Sequence, residues 1–353
     1  MARSRPDSRR ARRVLVATGV VIVAAQVAAG LALDAAPMKV RFPQGARVVE
    51  QARAVGSVPY VLLLGSSRFW DIDVKTIDET LADGAGGAHP PVVKGAVEAG
   101  DPVVADRLLA ELLAAGSRPG LVVLEVSPET LARPSPWVAA HAIRFFTWRD
   151  VTAWAPEIVV GDRAARVVAA RFAPIHLYRR ELLTWMVGAK PPYMYAPRRQ
   201  PSVSSAGGVP PRTVSTAAGP ARDRDDPVAP NAATLRGLRQ TRKWLRRYRV
   251  DGGAARALED VLARCHDAGV RVALVGVPVS SWVRALYTPA IERAFRDHVD
   301  RSARRWEADF LDDRASVPDR FFRDHHHLTA RGGVVFARLL GSEVIGPRCS
   351  SGR

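Results

Sequence analysis

Residues 58–68 read VPYVLLLGSSR, a compact apolar run that ends abruptly in a glycine and two serines. The run predicts a buried β-strand over 58–64 that feeds a turn. Acyl-transfer enzymes place a nucleophilic serine directly after such a strand and turn, because the turn exposes the hydroxyl and nearby N–H groups face the developing oxyanion. The same sequence also suits a helix N-cap. The turn alone therefore leaves both interpretations open.

Further short apolar runs alternate with stretches of helical spacing on both sides of a long interruption. Helices are predicted at 71–81, 103–115, 253–268 and 287–306, with a last helix ending near 339–345, and strands at 91–97, 121–126 and 270–277. Continuous apolar strands separated by helices are typical of a parallel sheet buried on both faces. We therefore predict an α/β fold of three layers, α/β/α, around a central parallel sheet.

The predicted domain is divided into two halves, residues 55–131 and 251–345, by an insertion at 132–250. Proline, glycine, serine and alanine dominate residues 189–230, which predicts a flexible linker or loop. A structureless segment of that length inside a compact domain is unusual, so we interpret it as a functional or disordered insertion.

Two features of the insertion have more than one interpretation. A basic helix is predicted from the cations Arg236, Arg239, Arg242, Lys243, Arg246, Arg247 and Arg249. Such a face is usually solvated, although near a membrane it also suits contact with anionic lipid. Trp137, Trp148 and Trp154 suit a sugar-binding groove, but core or membrane-interface packing is the commoner role of tryptophan.

The N-terminus carries a targeting signal. Six arginines within residues 1–13 precede an uncharged run from Val14 to Leu33, whose length at about 1.5 Å per residue matches a hydrocarbon core of about 30 Å. The arginines predict a cytoplasmic tail at 1–13, a transmembrane helix at 14–33 and an extracytoplasmic remainder. This is the topology of a single-pass protein of the inner (cytoplasmic) membrane. The alternative is a cleaved signal peptide with Gly30-Leu31-Ala32 as the cleavage site.

Composition limits the class of protein. The chain has 353 residues, 47% of them hydrophobic, which allows a full core and excludes disorder throughout. The net charge of +17 comes from scattered arginines without a nucleic-acid motif, so we expect no nucleic-acid partner and favour attraction to membrane lipid or acidic polymers. The two cysteines, Cys265 and Cys349, do not amount to a disulfide framework, although one bridge between them stays open.

Residues 321–332 read FFRDHHHLTARG and place an aspartate three residues before a histidine. That spacing brings a carboxylate and an imidazole together on one turn or helix face. Asp324 can then hold one ring nitrogen of His327 and leave the other to take the proton of Ser67. The run of three histidines also suggests a metal cluster, but consecutive side chains point in different directions and no partner ligands stand at suitable spacing. We therefore expect no metal and no other cofactor.

With the Gly65-Ser66-Ser67 turn and the Asp324-x-x-His327 pair in this order, the chain resembles the SGNH (GDSL-like) hydrolase superfamily. The variant G-S-S-R and the surround F-x-D-x-x-H-L-x-x-x-G resemble its membrane-anchored bacterial branch, such as the D-alanyl-transfer and alginate O-acetylation proteins. The resemblance covers about 59–131 and 269–340. It implies an SGNH-like fold, with Ser67 as the nucleophile and with Asp324 and His327 completing a catalytic triad. Ser66 stands where the family often has aspartate, and its hydroxyl is expected to cap the turn or bond a neighbouring loop.

The chain departs from the family at the oxyanion hole. The family commonly uses a glycine of its second block and an asparagine of its third, and the corresponding segments here are 92–100 and 124–128. Gly100, or failing it Gly95, is the expected glycine donor. The third block lacks asparagine, so Ser127 or backbone N–H groups are expected to replace it. Arg68 is expected either to hold an anionic substrate group or to lie on the surface of the first turn.

The resemblance implies a serine esterase or O-acyltransferase that acts on acyl esters, acetyl above all, of a cell-envelope polysaccharide. It also implies a multi-span membrane acyltransferase as a partner that delivers the acyl group. The missing asparagine favours the alternative of a non-catalytic glycan-binding or assembly subunit. A secreted lipase-like esterase is a third interpretation that differs mainly in substrate.

Overall fold

The computed structural model describes residues 8–35, 38–85, 89–133, 146–155, 173–179 and 230–350. Its centre is a sheet of five strands in the order β2-β1-β3-β4-β5, and every neighbouring pair is parallel. The strands are β1 Val61–Gly65, β2 Val92–Ala96, β3 Leu121–Val126, β4 Arg271–Gly276 and β5 Asp309–Asp312. Since parallel strands need crossover connections, helices cover the sheet.

Helices lie on both faces of the sheet and create two hydrophobic cores. Leu62 and Leu64 of β1 point into the first core, whereas Val61 and Leu63 point into the second, as the two-residue period of a strand requires. The first core is covered by the helices Pro43–Ala54, Pro102–Ala114, Gly253–Asp267 and Pro289–Arg305. The second is covered by the helices Val74–Ala85 and Ala330–Leu339 and by the π-helical segment Leu340–Ile345. Shorter helices at Met38–Arg41, Pro128–Leu131, Ser281–Arg284 and Gly346–Ser350 complete these parts of the chain.

The predicted three-layer α/β fold is therefore confirmed, and most element boundaries agree within three or four residues. Strand β5 was not predicted, because aspartates stand at both of its ends and its residues are only partly buried. The helix Pro43–Ala54 was not predicted either. It contributes Val48, Val49 and Ala52 to the first core, so this core extends upstream of residue 55.

The N-terminal helix Ser8–Ala35 has the length and composition of a membrane span. Its residues 9–35 reach a mean hydropathy of 2.3 over the most apolar window, and only 6% of that window is buried. An apolar helix of this kind suits a single span or a signal anchor. A short segment at 173–179 packs beside it, where the Ile175 N–H donates to Gln26 Oε1 at 3.2 Å.

The insertion is described in part. Its helices are Trp148–Ala153, Pro174–Leu177 and Ala232–Leu245, and the predicted linker falls almost wholly outside the described residues, as does Trp137. Trp154 packs against the first core with its ring centroid 5.9 Å from that of Phe146, whereas Trp148 is 40% exposed. The two cysteines are free thiols.

A close glycine contact joins the last long helix to the segment that follows the serine turn. A Cβ atom at Gly333 would lie 1.7 Å from the carbonyl oxygen of Asp71, and one at Gly332 would lie 2.6 Å from that of Phe321. Both obstacles are backbone atoms, which cannot rotate away. The helix Ala330–Leu339 therefore needs glycine at these positions to reach its place.

We expect Gly333→Ala to lower the free energy of unfolding by about 1–3 kcal/mol or more, because the extra methyl group must displace backbone. Gly84→Ala is the matched control, since nothing lies within 4 Å of a Cβ there. In that exposed helical position, alanine in place of glycine should raise the free energy of unfolding by about 0.5–1 kcal/mol. Denaturant melts of both variants test the packing, and equal stabilities would contradict it.

Candidate active site

The carboxyl ends of the parallel strands form one edge of the sheet, and two polar segments meet there. The first is the turn after β1, where Ser66 precedes a 3₁₀ turn at Ser67–Phe69. The second is the loop 322–328, ahead of the helix Ala330–Leu339. In the order β2-β1-β3-β4-β5, strand β2 is added on one side of β1 and the later strands on the other, so the strand order reverses between β1 and β3. Open parallel sheets bind ligands outside the carboxyl ends of their strands at such a switch point.

Ser67, His327 and Asp324 form a continuous row of hydrogen bonds. Ser67 Oγ lies 2.8 Å from His327 Nε2, and His327 Nδ1 lies 2.7 Å from Asp324 Oδ2. A carboxylate only accepts, so Nδ1 carries the proton and donates, which leaves Nε2 of the neutral ring to accept from the serine hydroxyl. This arrangement suits a general base that takes the proton of an attacking serine.

Asp324 is held in the carboxylate form by several donors. Its Oδ1 accepts the backbone N–H groups of His326 and His327 at 3.0 and 2.8 Å. Burial acts to raise the pKa of Asp324, but the hydrogen bond and charge of His327, with these two N–H groups, hold that pKa far below its ordinary value. The carboxylate can therefore stabilise a protonated His327 without taking its proton.

The loop 322–328 is closed by its own backbone. Phe322 and Leu328 form an antiparallel bridge, and the Arg323 N–H donates to the His327 carbonyl at 2.9 Å. Thr329 then caps the helix Ala330–Leu339 by accepting the Gly332 N–H. The loop therefore presents Asp324 and His327 on one turn, as the three-residue spacing predicts.

The two neighbouring histidines are placed differently. Burial lowers the pKa of His325 to about 4 and that of His326 well below its ordinary value, and the charge of Arg68 adds to both effects. Both rings are therefore neutral at pH 7. One ligand atom each from Asp324, His326 and His327 lies within 4.8 Å of the others. Since both ring nitrogens of His327 already have partners, this geometry favours the hydrogen-bonded row over a metal centre.

Ser66 and Glu125 fix the serine turn to the end of β3. Glu125 Oε2 accepts the Ser66 N–H at 2.6 Å, and Glu125 Oε1 accepts the Ser66 hydroxyl at 2.9 Å. The Ser66 oxygen also accepts the Arg68 N–H at 3.2 Å. Ser66 therefore caps the turn and bonds a neighbouring element, as the sequence predicted, and its hydroxyl donates to Glu125.

Arg68 differs from both expectations, because it is neither on the surface nor available to a substrate anion. Its side chain is 4% exposed and lies 3.6 Å from Glu125 and 3.4 Å from Glu129. Tyr287 completes the network by donating its hydroxyl to Glu129 at 2.8 Å. Burial raises the pKa of Glu125 in spite of the opposing attraction of Arg68. The guanidinium therefore neutralises buried carboxylates under the serine turn.

The three expected oxyanion donors, Gly100, Gly95 and Ser127, lie in different structural settings. The Gly100 N–H donates to the Val97 carbonyl at 3.1 Å, and Gly95 lies inside β2, paired with Leu64 of β1. Ser127 is fully buried and caps the helix Pro128–Leu131, so its hydroxyl is directed to that helix. Gly95 therefore lies within the sheet and Ser127 within a helix cap, and their role as oxyanion donors stays a prediction. The Ser67 N–H, at the start of the 3₁₀ turn, has no acceptor among the described residues.

Sequence reasoning missed the contribution of the insertion to this edge. Asn231 caps the helix Ala232–Leu245 and donates from Nδ2 to the Arg323 carbonyl at 3.1 Å. Gly237 lies so close to His325 that a Cβ would meet its ring at 2.0 Å. The asparagine followed by a helical stretch is the usual N-cap signal, but nothing in the sequence shows what the helix packs on.

The chain matches no protein-family model, and a search of curated proteins finds no match.

Removing the buried guanidinium of Arg68 tests its ion network with Glu125 and Glu129 beneath the serine turn. We expect Arg68→Ala to cost about 3–5 kcal/mol of folding free energy, because it leaves buried carboxylates without a counter-charge. The folded-state pKa of Glu125 then lies further above its unfolded value, so stability is retained at low pH and lost as the pH rises through that pKa. The loss should therefore be larger at about pH 8 than at about pH 5.

Arg331→Ala is the control, because it removes an exposed arginine just after the loop 322–328. It should change the free energy of unfolding by less than about 0.5 kcal/mol. Thermal melts at the two pH values measure both variants. A small and pH-independent loss in Arg68→Ala would contradict the account of the network.

Proposed function

We propose that this protein is a serine esterase or O-acyltransferase of the SGNH type. One observation carries the proposal, namely the row of hydrogen bonds from Ser67 through His327 to Asp324, with heavy-atom distances of 2.8 and 2.7 Å. The half-buried position of these three groups, at the strand-end edge where sheets of this kind bind ligands, supports it further.

In the proposed reaction Ser67 Oγ attacks the carbonyl carbon of an acyl ester while His327 Nε2 takes its proton. The tetrahedral oxyanion accepts the Ser67 N–H. His327 then returns the proton to the leaving alcohol, which leaves an acyl group on Ser67. Attack by water completes hydrolysis, and attack by a second hydroxyl completes acyl transfer. Asp324 orients the ring and stabilises its positive charge in both steps.

The proposed substrate is an acyl ester, acetyl above all, of a cell-envelope glycan. The proposed location is the inner membrane, with the helix Ser8–Ala35 as a single span and the triad outside the cytoplasm. The arginines that precede the helix support this orientation. A multi-span membrane acyltransferase as the source of the acyl group is part of the same proposal and rests on the family resemblance alone.

The sparse set of oxyanion donors favours a second candidate function. With the Gly100 N–H engaged and Ser127 turned to its helix, one free backbone donor remains at the turn among the described residues. Loss of one such donor costs about 10²–10³ in rate. A non-catalytic glycan-binding or assembly subunit would need none, so activity measurements decide between the two.

Triad variants of the full-length protein in detergent provide the test, with hydrolysis of a chromogenic acetyl ester as the measurement. We expect Ser67→Ala and His327→Ala each to lower kcat/KM by at least about 10³-fold. Stability should change by only about 1 kcal/mol in Ser67→Ala, because one half-buried hydroxyl is lost.

Two neighbouring residues serve as controls. His326→Ala should lower the rate only modestly, because the contact of His326 with Asp324 is made by its backbone N–H. Ser66→Ala should keep measurable turnover, since its hydroxyl bonds Glu125 and not the imidazole. Full activity in a folded Ser67→Ala variant would overturn the proposal and leave the glycan-binding subunit.

The membrane topology is tested separately. A reporter enzyme that is active only outside the cytoplasm, fused after Glu50, should give activity, and the full-length chain should stay in the membrane fraction. The reason is the cluster of arginines ahead of an apolar run long enough to span. Recovery of a shortened, soluble chain would instead show a cleaved signal peptide.

A further inference from the structure

The helix Ala232–Leu245 has a strongly basic outer face. No aspartate or glutamate occurs from residue 231 to residue 250. Five arginines of this helix and the turn that follows are exposed, and none is ion-paired with a carboxylate among the described residues: Arg236, Arg239, Arg242, Arg246 and Arg247. Elsewhere in the chain arginines commonly lie beside a carboxylate, as Arg264 does beside Asp106 at 2.9 Å.

The opposite face of the same helix is occupied by the domain. Thr234, Thr241 and Leu245 are 1%, 0% and 6% exposed, and Gly237 packs on His325. The helix is therefore fixed with its basic face outward. It cannot turn an apolar face into a bilayer, so any contact with a membrane is made by arginines at the level of the headgroups.

The chain enters the domain from the N-terminal helix at the sheet edge that carries the triad. Gln44, at the start of the helix Pro43–Ala54, accepts the backbone N–H of Glu98 at 2.9 Å, and Glu98 follows the carboxyl end of β2. Even a fully extended chain from Ala35 to Gln44 would reach only about 30 Å. The connection therefore keeps Gln44, at the triad edge, within about 30 Å of the end of the apolar helix. The basic helix begins at the same edge, because Asn231 at its N-cap donates to the Arg323 carbonyl.

The insertion also contacts the C-terminal end of the apolar helix Ser8–Ala35. The Trp148 N–H donates to Asp34 Oδ2 at 3.2 Å, and the Trp148 side chain is 40% exposed. Tryptophan at the end of an apolar span is typical of the membrane–water interface. The insertion is therefore hydrogen-bonded to the same end of the apolar helix that the short connection joins to the domain.

We propose that the outer face of the helix Ala232–Leu245 docks on anionic phospholipid headgroups and holds the triad edge against the membrane surface. The proposal rests on the proposed membrane anchoring and not on catalysis. The short connection limits how far these arginines can lie from the bilayer. Direct docking is needed for a strong attraction, because the surface potential of anionic lipid falls off within about 8 Å at physiological salt. Docking of this face on lipid implies that an acyl donor or acceptor reaches Ser67 from the plane of the membrane.

A spin label beside the arginines measures the docking directly. Leu235 is 44% exposed and heads the stripe formed with Arg239, Arg242 and Arg246. Full-length protein carrying a nitroxide at Leu235→Cys, in a Cys349→Ser background with Cys265 left buried, is placed in nanodiscs. The collision rate of the label with a water-soluble relaxing agent should fall at least about twofold when phosphatidylcholine is replaced by a phosphatidylglycerol-rich mixture.

Charge-neutralising variants test whether the fall depends on this helix face or on a general attraction of the basic protein to anionic lipid. The triple variant Arg239→Gln, Arg242→Gln, Arg246→Gln should abolish the fall. A matched triple variant on the exposed face of another helix, Arg293→Gln, Arg301→Gln, Arg304→Gln, removes the same charge and should keep it. Ser67→Ala should also keep it, so a failure of docking and a failure of the esterase proposal are distinguishable.

Three outcomes would overturn the inference. The first is equal accessibility of the label in both lipids, and the second is an equal loss of the effect in the two triple variants. The third is a fall in accessibility when inorganic polyphosphate is added to phosphatidylcholine nanodiscs, without a response to phosphatidylglycerol. That last result would identify this face as a site for soluble polyanions.

Discussion

The parallel direction of all five strands is the constraint on which the site depends. It brings the carboxyl ends of β1 and β3 side by side, so the turn after β1 can be bonded to Glu125 near the end of β3. The crossover helices that parallel strands require also carry the late histidine loop back to the same edge. Residues separated by 260 positions in the chain, Ser67 and His327, meet there for that reason.

Support for the turn comes from buried charge as well as from backbone. Glu125 bonds the N–H and the hydroxyl of Ser66, and the buried side chain of Arg68 lies between Glu125 and Glu129. A buried ion network of this kind is weak evidence for stability, because desolvation opposes the attraction. Its position under the serine turn agrees better with a role in fixing geometry. Burial lowers the pKa of His325 and His326, and the positive charge of the same guanidinium adds to this effect.

The sequence predicts the layers of the fold and the pairing of Asp324 with His327, because apolar runs and a three-residue spacing are local signals. That Ser67 joins this pair is expected from the family resemblance, since the contact spans 260 positions. The sequence does not predict β5, whose short strand begins and ends with aspartate. It also misplaces Arg68 and does not show that Ser127 is buried. Both are polar residues that follow a strand, and only the packing of Glu129, Tyr287 and the helix Pro128–Leu131 decides that they are buried. The contact of Gly237 with His325 is equally non-local, since it joins the insertion to the last loop.

In the proposed mechanism His327 activates Ser67 as a nucleophile. Reaction of the full-length protein with a fluorophosphonate, followed by tandem mass spectrometry of its peptides, tests this activation. We expect one covalent adduct, on Ser67, that is absent in a folded His327→Ala variant. An adduct on Ser66, or no adduct at all on the folded wild-type protein, would contradict it.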